Sequence, residues 1–159
     1  TVTVNGTQAF TGMQFLTDGY NLVNGASGQL TAVNGTGGTT AVRVDPGVTG
    51  TIGVNINGGG ILNKLDAGTL VLNGANTYTG GTQLDGGRIV VGSNTALGSG
   101  TLTANAGSQL DSNTAVTLGN AATLNGMRPT PFMEEFIRLL IKQGPAAKKV
   151  ARRRHSLAS

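Results

Sequence analysis

Apolar residues fall at alternate positions in short runs through most of the chain. The runs are Thr1–Val4, Ala41–Val44, Thr51–Ile56, Thr69–Leu72, Arg88–Val91, Thr101–Thr103 and Ala115–Leu118. Period-two patterning with β-branched residues predicts strands that bury one face. Asn-Gly, Asp-Gly, Gly-Gly and Gly-Ser pairs separate the runs, and such pairs mark tight turns. No convincing helix is predicted before Gly126, and Glu is absent from that stretch.

Short strands at regular spacing allow a sandwich, a barrel or a solenoid. Three features favour the solenoid. The strands carry single Val, Leu or Ile residues, which suit stacked rungs. Asn and Thr are abundant and can stack on themselves from rung to rung. Turns such as Gly58-Gly59-Gly60 and Gly80-Gly81 are small enough for the corners of a narrow coil. A single rung cannot bury its apolar face, so stability would come from its neighbours. The repeat is degenerate, and its period is not legible.

From Leu62 to Val91 a longer pattern emerges. Gly68-Thr69-Leu70, Leu72, Gly74, Asn76-Thr77-Tyr78 and Gly80-Gly81-Thr82 stand in one continuous motif. This segment resembles the passenger-associated transport repeat of bacterial autotransporters. Gly12-Met13-Gln14-Phe15 and Thr17-Asp18-Gly19-Tyr20 are similar to the segment that precedes such repeats. The resemblance covers about residues 1–126. It implies an all-β, right-handed parallel β-helix, secreted through the outer membrane and displayed at the cell surface or released. It also implies a partner, the outer-membrane translocator barrel of the parent protein, which is missing here. The motif carries no catalytic residue, so the resemblance implies a structural stalk that is not an enzyme.

Composition supports a thin aliphatic core. Aromatic residues make up 4% of the chain and Trp is absent. Charged residues make up 11%, about half the usual share. The absence of Cys removes disulfides and thiolate metal sites from consideration. No run of about 18 apolar residues is present to span a membrane as a helix. The start, Thr1-Val2-Thr3-Val4, reads like the interior of a longer protein.

Charge divides the chain in two. Residues 1–126 hold Arg43, Lys64 and Arg88 against Asp18, Asp45, Asp66, Asp85 and Asp111. Residues 127–159 hold eight basic residues against Glu134 and Glu135, so the basic pI belongs to this tail. Two units are expected, a solenoid over 1–126 and a tail over 127–159. Thr130 suits an N-cap, Pro131 the first helical position, and Glu134 and Glu135 the first turn. Phe132, Met133, Phe136, Ile137, Leu140 and Ile141 recur at helical spacing, and Gly144-Pro145 ends the pattern. A short amphipathic helix is therefore expected over Pro131–Gln143, followed by a basic end. Four roles are open for the tail: a cap on the solenoid, a peptide for a partner's groove, a contact with an anionic surface, or a fused segment foreign to the passenger. No specific nucleic-acid contact is expected.

Sharper chemistry finds little footing. Arg153-Arg154-His155-Ser156 fits a basophilic kinase site at Ser156, against the plainer reading of a solvated basic end. His155 is the one histidine, so a serine-type triad has no second partner. Asn5-Gly6-Thr7 and Asn34-Gly35-Thr36 match a glycosylation sequon but read as turns in a bacterial passenger. Tyr78 is expected at a solenoid corner. Asp66, Asp85 and Asp111 stand in turn contexts, and no calcium nonapeptide or cofactor motif is present. Two alternatives to the stalk stay open. An adhesin module, with a host or bacterial surface ligand as its partner, would show an exposed aromatic or charged patch on one solenoid face. A glycan-cleaving β-helix would bring Asp66, Asp85 and Arg88 into one groove.

Overall fold

The computed structural model describes residues 1–126 together with Thr130, Pro131, Glu134 and Glu135. Fifteen short strands wind into six stacked turns, and every strand pair is parallel. The first turn holds β1 (Val2–Val4), β2 (Thr7–Phe10) and β3 (Gly12–Phe15). The second holds β4 (Tyr20–Asn24), β5 (Gln29–Ala32) and β6 (Thr40–Val44), and the third β7 (Thr49–Ile52), β8 (Ile56–Asn57) and β9 (Leu62–Leu65). The last three turns keep two strands each. They are β10 (Thr69–Leu72) with β11 (Thr82–Leu84), β12 (Arg88–Val91) with β13 (Leu102–Asn105), and β14 (Gln109–Ser112) with β15 (Ala122–Asn125).

Three parallel sheets result: β1-β4-β7-β10-β12-β14, then β15-β13-β11-β9-β6-β3, and the short β2-β5-β8. The fold is an all-β parallel solenoid, as the strand and turn chemistry predicts. Register supplies the period that the sequence hides. Thr49 lies beside Thr69, Thr69 beside Arg88, and Leu62 beside Thr82 and Thr82 beside Leu102, so a turn takes close to twenty residues. The second turn is longer, with Gly12 beside Ala41. Its extra residues form the loop Val33–Thr39 between β5 and β6.

The core is a set of in-register aliphatic columns. Leu22, Ile52, Leu72 and Val91 stack along the first sheet, and Leu70, Ile89 and Leu110 form a second column beside them. Leu62, Thr82 and Leu102 line the second sheet. Each fully buried Leu or Ile side chain contributes about 1.5–3 kcal/mol, and no single rung holds enough of them to stand alone. Gly50 leaves its inward position vacant, and the Phe15 ring fills it: a Cβ on Gly50 would sit 2.5 Å from that ring. One aromatic from the first turn thus closes a gap in the third.

The expected strands at Thr69–Leu72 and Arg88–Val91 form as predicted. Thr51–Ile56 does not run as one strand. It breaks at Gly53–Asn55, where the chain turns a corner between β7 and β8. Thr101–Thr103 moves one residue on, to Leu102–Asn105. Ala115–Leu118 is not a strand. Leu118 is buried and Val116 packs on the core, but the Thr117 amide is held by the side chain of Asn94 at 2.9 Å. Inward alternation survives there without a strand ladder. Of the predicted helix Pro131–Gln143, the described part is Pro131, Glu134 and Glu135, with the Glu134 amide donating to the Thr130 carbonyl at 3.0 Å. The rest of that helix, His155 and Ser156 lie outside the described residues.

Candidate functional site: the motif turn and its neighbours

The motif occupies the fourth turn, where the third sheet stops. After β8 no strand continues that side, yet Gly74, Asn76 and Tyr78 point inward in strict alternation with exposed Asn73, Ala75, Thr77 and Thr79. Backbone bonds still join the turns. The Thr77 amide donates to Ile56 at 2.8 Å, Thr79 to Gly58 at 2.9 Å, and Ser99 to Tyr78 at 3.0 Å. The chain is extended there without regular pairing, so the motif side chains carry part of the cohesion.

Asn76 does most of this. It is buried. Its Oδ1 accepts the Ile56 amide at 2.8 Å from the third turn, and its Nδ2 donates to the Ala96 carbonyl at 2.7 Å in the fifth. One amide side chain therefore ties three successive turns and satisfies two buried backbone groups. Asn120 repeats part of the device with bonds to the Gly98 and Gly100 carbonyls.

Tyr78 is fully buried. Its hydroxyl is 2.6 Å from Thr82 Oγ1, which in turn donates to the Leu97 carbonyl at 3.1 Å. A threonine hydroxyl has one proton, so Tyr78 is the donor in the first bond. Burial raises the Tyr78 phenol well above its ordinary pKa, with the Thr82 bond acting in the opposite direction. Leu70 and Leu72 fill the inward columns. Gly68 donates its amide to Val44 at 2.9 Å, and a Cβ there would lie 2.3 Å from the Asp45 carbonyl oxygen. That close approach accepts only glycine. Gly74 and Gly80 press on Val54 and Gly60 in the same way, and Gly81 makes the turn into Thr82 and β11.

Lys64 was not singled out by its pattern and is the least expected member of the site. It occupies an inward position of β9, in register between Val42 and Leu84. The side chain is fully buried. Its Nζ donates to the carbonyls of Leu65 and Asp66, both at 2.8 Å, and of Gly86 at 3.2 Å. All three donors of the ammonium group are used, which pins the corner after β9 to the next turn. Desolvation lowers the Lys64 pKa from 10.5 to about 8, partly offset by the Asp66 charge. The unfolded chain therefore binds a proton that the folded chain releases between pH 8 and 10.5. Stability should rise with pH across that window. Urea midpoints at pH 7.5 and pH 10 should show a larger alkaline gain for the native chain than for Lys64→Met.

The remaining charges pair across turns. Arg43 grips both carboxylate oxygens of Asp66 at 3.0 and 3.1 Å. Arg88 pairs with Asp111. Asp85 accepts from Asn63 at 2.9 Å and from Asn105 at 2.5 Å, and Asn125 donates to Asn105 at 2.8 Å. The expected polar ladder thus runs Asn63, Asp85, Asn105, Asn125 over four turns. Asp66, Asp85 and Arg88 share no partner, and each is taken up by a different neighbour. Among the described residues no three His, Asp or Glu side chains gather as for a metal ion. Among the described residues the exposed large apolar side chains are Val2, Leu16, Tyr20 and Val33, of which Leu16 and Tyr20 flank one corner.

This architecture defines a class: a parallel solenoid in which buried Asn, Tyr and Gly residues of one motif lock a turn to its neighbours. Residues 62–91 match the model of the passenger-associated-transport-repeat, and the chain carries an autotransporter passenger repeat. Over 107 residues, 62% of the chain, the sequence is 41% identical to the adhesin BmaC autotransporter of Brucella suis biovar 1 (strain 1330). The chain spans 3% of that relative's length. Autotransporter passengers are exported to the cell surface or secreted. No solved structure matches the chain.

Proposed function

We propose that residues 1–126 form a stalk segment of an autotransporter passenger, which supports export and holds other parts of its parent away from the cell. The observation that carries this reading is the uninterrupted rung-to-rung bonding through the motif, above all the three-turn link at Asn76. Each turn that folds outside the cell offers a ready edge to the next, so folding can proceed turn by turn and oppose backsliding. Its partner in export is the parent's translocator barrel. Crossovers between parallel strands of one sheet are right-handed in nearly all proteins, which supports a right-handed coil. The uptake of Asp66, Asp85 and Arg88 by separate neighbours supports a non-enzymatic role.

The test is display. The segment is placed between a signal sequence and a translocator barrel, and arrival at the surface is followed by protease accessibility on intact cells. Deleting residues 62–91 is expected to slow arrival. An unchanged rate would remove the export role and leave only the scaffold.

A second reading, an adhesin module, is favoured by the relative's name and by exposed Leu16 and Tyr20 at one corner. Leu16→Ser with Tyr20→Ser should then weaken adhesion of displaying cells while leaving display intact.

A further inference from the structure

Asparagine followed by glycine recurs through residues 1–126, at Asn5, Asn24, Asn34, Asn57, Asn73 and Asn125. The pair is a turn signal and also a reactive dipeptide, because a glycine amide nitrogen with no Cβ beside it can attack the asparagine side-chain carbonyl. That attack needs an amide free of other bonds, a polarised carbonyl and an amino group able to leave. The fold treats these pairs differently. The Gly6 amide is held by the Ala26 carbonyl at 2.9 Å, Gly25 by Val4 at 2.7 Å and Gly35 by Thr39 at 2.9 Å. Asn125 has its amino group bound to Asn105 Oδ1 at 2.8 Å. Asn57 sits in β8 with its Oδ1 buried and unpartnered, so nothing polarises that carbonyl.

Asn73 meets all three conditions. It lies one residue past β10, outside any strand, and is exposed. The Gly74 amide has no hydrogen-bond partner among the described residues. Asn73 Oδ1 accepts from Asn113 Nδ2 at 3.2 Å, two turns further along. Gly92 stands between the two, and a Cβ there would lie 2.0 Å from Asn73 Oδ1. Glycine at 92 thus opens the space in which the two side chains meet. Their bond draws electrons from the Asn73 carbonyl and faces the oxygen on which negative charge builds during attack. Among the described residues nothing accepts from Asn73 Nδ2, the group that must leave.

We propose that Asn73 is a site of spontaneous deamidation built into the motif turn. The Gly74 nitrogen bonds to Asn73 Cγ, the Cγ–Nδ2 bond breaks, and the Gly74 amide proton leaves with Nδ2 as ammonia. A succinimide ring remains. Water opens it at either carbonyl, giving aspartate or isoaspartate and a new negative charge. Water is the only co-reactant. The isoaspartyl product carries an extra main-chain carbon just ahead of Asn76 and Tyr78. The tie that Asn76 makes between the third and fifth turns is then misaligned, so the modification slackens the stack with age. The inference stands apart from the stalk reading, because it rests on the chemistry of one turn and not on where the chain is displayed.

Peptide mapping by mass spectrometry tests it on the full chain, incubated folded at mildly alkaline pH. Conversion at Asn73 should run about tenfold or more ahead of Asn5, Asn24 and Asn34, the factor for a hydrogen bond that need not be broken. Gly92→Ala sets its methyl group against flexible side-chain ends, so the fold should hold while Asn73 and Asn113 part. Asn113→Leu removes the same contact without filling the space at 92. Each should slow conversion at Asn73 by about threefold or more and leave the other pairs unchanged. In urea the lead of Asn73 should vanish. Equal rates at all the pairs in the folded chain would overturn the proposal. So would a lead that persists in urea, which would assign it to the local sequence, or an unchanged rate at Asn73 in both variants.

Discussion

Tyr78→Ala is expected to destabilise the solenoid by about 3–5 kcal/mol, the range for removing a buried aromatic from a packed core. The ring is fully buried in the turn where the third sheet has ended, so no regular strand ladder stands ready to collapse into the space. The loss should be local in origin and wide in effect. Turns in a solenoid are stabilised by their neighbours, and a weak fourth turn uncouples the three before it from the two after it. Equilibrium urea denaturation should show a lower midpoint, with a broadened or two-step transition. Tyr78→Phe should cost only about 1 kcal/mol. It removes the bond to Thr82, but Thr82 keeps its own bond to the Leu97 carbonyl. Equal losses in the two variants would show that the hydroxyl, not the ring, holds this corner.

Asn76→Leu is expected to cost a similar amount by a different route. Leucine has the same heavy-atom branching as asparagine, so the outline of the side chain is kept although its methyl groups are bulkier. The Ile56 amide and the Ala96 carbonyl both lose their partner. An orphaned buried polar group costs about 1–3 kcal/mol, which puts the pair at roughly 2–6 kcal/mol. Hydrogen exchange gives the sharper readout. The Ile56 amide, two turns from Ala96 along the coil, should lose protection as soon as Asn76 is replaced. A variant that exchanged normally at Ile56 would mean that water or a shifted backbone substitutes for the side chain.

Both residues were visible in the sequence as parts of a motif, but their roles were not. The Asn-Thr-Tyr run reads only as part of a continuous motif, with Tyr78 packing at a corner. That Tyr78 is fully buried, in a turn where the third sheet has already ended, has no local signal. Lys64 was hidden for a related reason. A lysine between Asn63 and Leu65 looks solvated, and only the register that sets it between Val42 and Leu84 sends it inward. The polar ladder was anticipated as a type, from the abundance of Asn. Its members Asn63, Asp85, Asn105 and Asn125 could not be chosen without the register.

The sequence by itself determined that residues 1–126 are all-β, that their strands are short with one buried face, and that the repeat at 62–91 is of the passenger type. These properties are local: alternation, turn residues and a continuous motif need no knowledge of distant neighbours. The tertiary structure decided the close to twenty-residue turn, the failure of Ala115–Leu118 to pair, the burial of Lys64 and Tyr78, and the contact of Thr130 with Leu110. Each of these depends on which residues lie one turn apart. That spacing is set by the summed lengths of loops, such as the long Val33–Thr39 connection, and no single stretch of sequence encodes it.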